Sequence, residues 1–216
     1  IIQAVQDADK SGANSFVLID ASGLTGTEIV SISTSALQTA LDEMSSTGIS
    51  KVNILLPQGT FALDSAAISS ILEDLGESVS FVIEKVDASK LSSAQSKAVG
   101  DRPIYEISIR DGDKPITSFG GNKIKVALAY DLKEGEDASK ICVWYVNDAG
   151  EIQTVDATYE NGYVIFDTDH ASFFAVGYDS SAGSSDDIIY YVLAAALVII
   201  LVAGIAVYMM RKKQTI

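Results

Sequence analysis

The sequence predicts an α+β fold: a small α/β repeat layer over residues 1–100, an antiparallel β-sandwich over 101–178 and a single C-terminal transmembrane helix over 188–210. Three observations lead there. Between residues 30 and 86 short apolar runs alternate with stretches whose apolar residues recur at i, i+3, i+4 and i+7. Beyond residue 100 the apolar period falls to two, with Gly- and Asn-rich turns between the runs. Ile188–Met210 then holds 23 residues without Asp, Glu, Lys, Arg, His, Asn, Gln or Pro.

Within residues 1–100 a pair of units repeats at an offset of 31 residues. Val30-Ser31-Ile32 leads into a helical stripe of Leu37, Ala40, Leu41 and Met44, and Phe61-Ala62-Leu63 leads into Ile68, Ile71, Leu72 and Leu75. Ser33 or Thr34 and Asp64 stand where N-caps belong, and Gly48 and Gly76 stand near the stops. A strand follows each helix, Val52–Leu56 after the first and Val79–Val86 after the second. An earlier partial unit is visible, with Ile2 and Val5 helical, Gly12 a stop and Phe16–Ile19 a strand. Strands alternating with helices argue for an α/β layer. A third helix is expected over Ser89–Val99, with Leu91, Ala94 and Ala98 on its buried side and Gly100 as its stop.

Residues 101–178 read differently. Tyr105–Ile109, Ile124–Leu128 and Tyr163–Phe166 alternate apolar with polar residues, as antiparallel strands with one buried face do. Asn161-Gly162 between adjacent runs of this kind is a two-residue hairpin signal. Six to eight strands over about 75 residues fit a β-sandwich. Residues 179–187, DSSAGSSDD, form a polar tether.

As a helix Ile188–Met210 spans about 34 Å, against a hydrocarbon core of about 30 Å. Tyr190, Tyr191 and Tyr208 stand at its ends, where aromatic rings favour the headgroup region. Arg211, Lys212 and Lys213 follow, in a tail that ends at Ile216, and the positive-inside bias places 211–216 in the cytoplasm and 1–187 outside. The stretch before Ile188 has twelve basic and 29 acidic residues, a formal charge of −17. That excludes nucleic acid as a partner, because phosphates would be repelled. Cys142 is the single cysteine, so no internal disulfide forms, which fits a prokaryotic exterior. Its apolar surroundings, Ile141 to Val146, predict a buried, inert thiol. The first residues show no export signal and read as the middle of a helix, so a processed form or a C-terminal fragment is expected.

Residues 84–178 carry a resemblance. The Gly120-Gly121 pair before a strand, the loop with Leu132, Lys133, Gly135, Glu136 and Asp137, the run Val143-Trp144-Tyr145-Val146, and Thr168-Asp169-His170 with Ser172 are its landmarks. Together they resemble a module of prokaryotic cell-surface proteins, found beside S-layer-homology repeats in bacteria and in adhesin-like proteins of archaea. The closing β-sandwich is similar to a ZU5-type domain. The resemblance implies an extracellular structural or adhesive role without established enzyme chemistry. The chain departs from the bacterial pattern in lacking S-layer-homology repeats and carrying a membrane helix, so anchoring by the span replaces attachment to the wall.

Candidate chemistry is sparse. His170 is the one histidine, and a strand would place it beside Ser172 with no third member of a triad supplied locally. Some eukaryotic ZU5-like domains cleave themselves at His-Phe-Ser. The equivalent here is His170-Ala171-Ser172, with His170 as base, Ser172 as nucleophile and the Ala171–Ser172 bond broken. Loop carboxylates make Asp111, Asp113, Asp131, Glu136 and Asp137 calcium candidates, although none follows the twelve-residue calcium loop. No phosphate-cradling glycine motif occurs, and no cofactor is expected. The expectation is a membrane-anchored, non-enzymatic cell-surface structural or adhesion protein. It would be held in lipid from Ile188 to Met210, with other surface proteins or glycans as partners. The alternative is an extracellular ligand- or glycan-binding module.

Overall fold

The computed structural model describes residues 16–23, 29–73 and 76–179. The expected helix around Ile2 and Val5, the stripe position Leu75, most of the tether, the span 188–210 and the tail with Arg211, Lys212 and Lys213 lie outside them. Among the described residues no helix is long and apolar enough to cross a membrane.

The elements in order are β1 (Phe16–Asp20), β2 (Ile29–Ser33), α1 (Thr34–Thr47), β3 (Lys51–Leu56), β4 (Gly59–Leu63), α2 (Ser65–Leu72), β5 (Ser78–Lys85) and α3 (Ser93–Val99). Strands then follow one another: β6 (Ile104–Asp111), β7 (Lys114–Ile116), β8 (Ile124–Ala129), β9 (Ile141–Val146), β10 (Ile152–Val155), β11 (Ala157–Glu160), β12 (Tyr163–Thr168) and β13 (Ser172–Tyr178).

Local chemistry sets the helix ends. Ser33 Oγ accepts from the Ala36 N–H at 3.2 Å and Asp64 Oδ1 from the Ala67 N–H at 2.8 Å, each satisfying a donor that the first helical turn leaves open. Gly48 ends α1 in the left-handed region, its N–H bonded to Met44 O. The third helix is shorter than expected. A capping box between Ser92 and Gln95 starts it at Ser93, and this register buries Gln95 and Val99 while leaving Ala94 exposed.

Two sheets form the body. One has six strands in the order β1-β3-β4-β8-β12-β11, and the other follows β10-β9-β13-β6-β5-β2 with β7 also paired to β6. Every pairing is antiparallel except β1 with β3. This is a β-sandwich-like α+β fold. The α/β layer expected over residues 1–100 is not a separate layer: β1, β3 and β4 belong to one sheet, β2 and β5 to the other, and both sheets continue with strands from beyond residue 100. The reason lies in the burial pattern. The inner residues of β3 and β4 are fully buried while their alternates stay half-exposed. Strands of that kind need one covering sheet, whereas a doubly covered parallel sheet would bury both faces.

The 31-residue repeat takes a specific form here. The unit β2-α1-β3 crosses from the second sheet to the first, and β4-α2-β5 crosses back. β3 pairs with β4 and β2 with β5, both antiparallel, so exchanging the two units exchanges one pair for the other. The crossover helices pack on each other and add Leu37, Met44, Ile68 and Ile71 to the shared core.

Aromatic pairs join the sheets. Phe61 on β4 meets Phe81 on β5 edge-on at 5.5 Å between centroids, and Phe166 on β12 meets Phe174 on β13 at 5.2 Å. Cys142 is buried on β9, as its neighbours predict. Asn161 and Gly162 both have positive φ, 51° and 84°, which is what a two-residue hairpin turn between β11 and β12 requires.

At Gly59 the chain comes close to its neighbour: a Cβ there would lie 2.3 Å from the Ala127 carbonyl oxygen and 3.2 Å from Ile83 Cδ1. Because the first obstacle is backbone, Gly59→Ala should force strands β4 and β8 apart and cost about 1–3 kcal/mol. A lower denaturant midpoint with an unchanged slope would show it.

Candidate functional site

The most elaborate polar arrangement forms where the turn after α3 meets the β8–β9 loop and the end of β13. Gly100 caps α3 with a positive φ and turns the chain so that Arg102 enters beneath it. The guanidinium is used on every side. Nε donates to Val176 O at 2.7 Å, one terminal nitrogen donates to Gly177 O at 2.9 Å, and the other pairs with Glu136 Oε1. Its carbon lies 5.8 Å from the Tyr130 ring centre and 5.9 Å from that of Tyr178. Glu136 in turn accepts from the Tyr130 hydroxyl at 2.7 Å and the Lys133 N–H at 2.9 Å through Oε2. The two charged side chains are only 10% and 9% exposed.

These contacts set the protonation states. Burial pulls the Glu136 carboxyl upward, but hydrogen bonds from Arg102, Tyr130 and the Lys133 N–H outweigh it and hold Glu136 below its ordinary range. Burial, and then the hydrogen bond to Glu136, push the Tyr130 hydroxyl up to about 12.

Beside this cluster an open groove of about 860 Å³ runs along the end of the sandwich. The β3–β4 turn at Gln58, the end of β5, the start of β6, the end of β8 and the β11–β12 turn all reach it. Its rim is fixed by backbone bonds: Ala129 N–H donates to Gln58 O at 3.1 Å and Tyr130 N–H to Gly162 O at 2.9 Å. Tyr105 closes the floor, its hydroxyl donating to Ala129 O at 3.3 Å. Burial and the nearby Asp131 charge push that hydroxyl's pKa up. Lys133 Nζ bridges to Asp101 Oδ2 at 2.9 Å across the wall.

The calcium candidates fall into two places. Asp131, Glu136 and Asp137 share the β8–β9 loop, while Asp111 and Asp113 flank the β6–β7 turn. Asp131 acts on Tyr105 near the start of β6, and Asp111 ends that strand, about 20 Å away along six residues. Three of the five are engaged within the fold. Glu136 holds Arg102, Asp137 Oδ1 accepts from the Ser139 N–H at 2.9 Å, and Asp111 Oδ2 accepts from the Gly76 N–H at 3.2 Å. Among the described residues no three His, Cys, Asp or Glu side chains gather into a group that could hold a metal ion.

His170 sits in the β12–β13 turn, which Thr168 closes by donating to His170 O and accepting from its N–H. The ring bonds Asp169 Oδ1 through Nδ1 at 2.7 Å and stacks edge-on against Tyr145 at 4.8 Å. Its Nε2 is buried without a partner among the described residues. Ser172 opens β13 opposite Ile107, and no hydrogen bond joins it to His170. Residues 169–173 all have negative φ, so the Ala171–Ser172 bond is not flanked by left-handed strain.

No protein-family model matches this chain.

Sequence reasoning singles out Glu136 as a calcium candidate and misses Arg102, Tyr130, Gln58 and Tyr163. The only local signal is a lone Arg between a helix stop and a Pro, in Gly100-Asp101-Arg102-Pro103.

Arg102→Ala would leave Glu136 buried without its partner and free two β13 carbonyls, so a loss of about 3–5 kcal/mol is expected in equilibrium unfolding. Arg102→Lys should recover little, because an ammonium cannot reproduce the fork. The folded-state pKa of Glu136 is depressed, so its contribution is present above about 4.5 and lost as pH falls through the folded value. Glu136→Gln should therefore flatten the acid limb of stability against pH. For Tyr130, with a raised folded-state pKa, the contribution is present below 10 and lost as pH rises from 10 towards about 12. Tyr130→Phe should remove that alkaline loss.

Proposed function

We propose that this protein is a single-pass, membrane-anchored structural or adhesion-type protein of a prokaryotic cell surface, presenting its body outside the cell. The observation that carries this reading is the 23-residue apolar segment Ile188–Met210 followed directly by Arg211, Lys212 and Lys213. An acidic body without disulfides and the resemblance to prokaryotic surface modules support it.

The body suits such a role. β13, the last strand before the tether, is a central strand paired with both β6 and β9. Arg102 grips two carbonyls at its far end. A pull arriving through the tether would meet hydrogen bonds on both flanks of β13 and a buried guanidinium at its exit. The role is mechanical, and no catalytic step is assigned to His170 or Ser172.

Cell fractionation tests this. The full chain should remain in the membrane pellet after alkaline carbonate and enter solution only with detergent, while a chain ending at Asp187 should be released. Protease added to intact cells should digest the body and spare a fragment containing 188–216. Full-length protein in the soluble fraction would end the reading. In the same samples intact mass should show one full-length species, unchanged by Ser172→Ala; a fragment starting at Ser172 would revive self-cleavage.

A further inference from the structure

We propose that the groove at the end of the sandwich is a binding site for a neutral, polyhydroxylated ligand, an oligosaccharide. The inference is independent of how the chain is anchored.

Charge decides first. Five charged side chains line the groove: Lys85, Arg102, Lys133, Asp101 and Asp131. Arg102 is already paired with Glu136 and Lys133 with Asp101. What remains is Lys85 and Asp131, one charge of each sign, so the groove offers no net attraction to an anion or a cation. Long-range repulsion from a body of charge −17 further disfavours anions.

The remaining polar groups suit hydroxyls. Asp131, Gln58 and Asn161 make no side-chain hydrogen bond among the described residues. Between them they offer carboxylate and amide oxygens as acceptors and amide N–H groups as donors. A sugar hydroxyl both donates and accepts, so a ring with several can engage all three. A predominantly apolar ligand would want a predominantly apolar wall, whereas polar and apolar surface share this one about equally.

An aromatic surface completes the site. Tyr163 is 38% exposed, and Ile29 and Ile152 are the other large apolar side chains as open among the described residues. It follows directly on the Asn161-Gly162 turn, and its backbone is held by pairing with Glu160 on β11 and Ala129 on β8. A tyrosine held this way offers rigid, amphipathic contact area for the C–H face of a sugar ring at little entropic cost. The rim is likewise preset by the Ala129–Gln58 and Tyr130–Gly162 backbone bonds. A volume of about 860 Å³ lies at the upper end of the roughly 300–1,000 Å³ range of ligand sites.

The test is titration of the full chain, in nanodiscs or a detergent without a sugar headgroup, with maltotriose, α-mannotriose and chitotriose. Inorganic phosphate and citrate serve as charged probes, and the backbone amides of residues 161–163 and heat of binding are the readouts. At least one neutral trisaccharide should saturate with a Kd of about 1 mM or tighter, and Tyr163→Ala and Asp131→Asn should each weaken it about tenfold, roughly 1.4 kcal/mol. Ile152→Ala, at an exposed apolar residue outside the groove, should leave binding unchanged. Unchanged melting temperatures for the two groove variants, both at exposed side chains, keep the comparison clean. No saturation by any neutral trisaccharide at about 20 mM, tighter binding of phosphate or citrate, or saturation indifferent to both groove variants would each overturn the proposal.

Discussion

Each early strand has one apolar face, and a one-faced strand must find a second sheet to cover it. That constraint organises the molecule. The inner residues of β3, β4, β8 and β12 meet those of β5, β6, β9 and β13, and the Phe61–Phe81 and Phe166–Phe174 pairs tie the two layers together. Cover for the early strands begins with early ones, Phe61 on β4 against Phe81 on β5, and both sheets then extend into strands from beyond residue 100. The crossover helices then fall where the chain must travel between sheets, and their apolar stripes add to the same core.

The Arg102 cluster works on a different principle. A buried ion pair gains little against the cost of stripping water from both charges. Its value is geometric. The guanidinium fork fits two adjacent carbonyls of β13 and a carboxylate from the β8–β9 loop at the same time, which fixes how three separate segments meet. The groove inherits that order, since Tyr130, Lys133 and Asp101 are held by the same cluster and line its wall.

What can be read from the sequence is local. The caps at Ser33 and Asp64, the stop at Gly48, the hairpin at Asn161-Gly162 and the alternating strands near 105, 124 and 163 each depend on neighbours within a few residues. The pairing of strands is not legible, because nothing in Val52–Leu56 says whether its cover comes from a helix or from a sheet completed far along the chain. Glu136 illustrates the same limit. A carboxylate in a loop suggests a cation, and only the fold shows that the cation is Arg102, 34 residues away. Gln95 is a smaller case: pattern alone gives the buried side to Ala94, while the cap set by Ser92 turns the helix by one position. The groove has no linear signature at all, as Gln58, Asp131 and Tyr163 come from three separate turns.

Of the described strands β13 is the last the ribosome makes, yet it occupies the middle of its sheet, between β9 and β6. Until it arrives, both neighbours present unsatisfied edges, and the aromatic Phe174 that completes the core is still missing. The nascent chain therefore cannot finish folding segment by segment as it emerges; completion waits for the strand that ends at Tyr178. Up to that moment the open edges of β6 and β9 are the places where a foreign strand could pair in its stead.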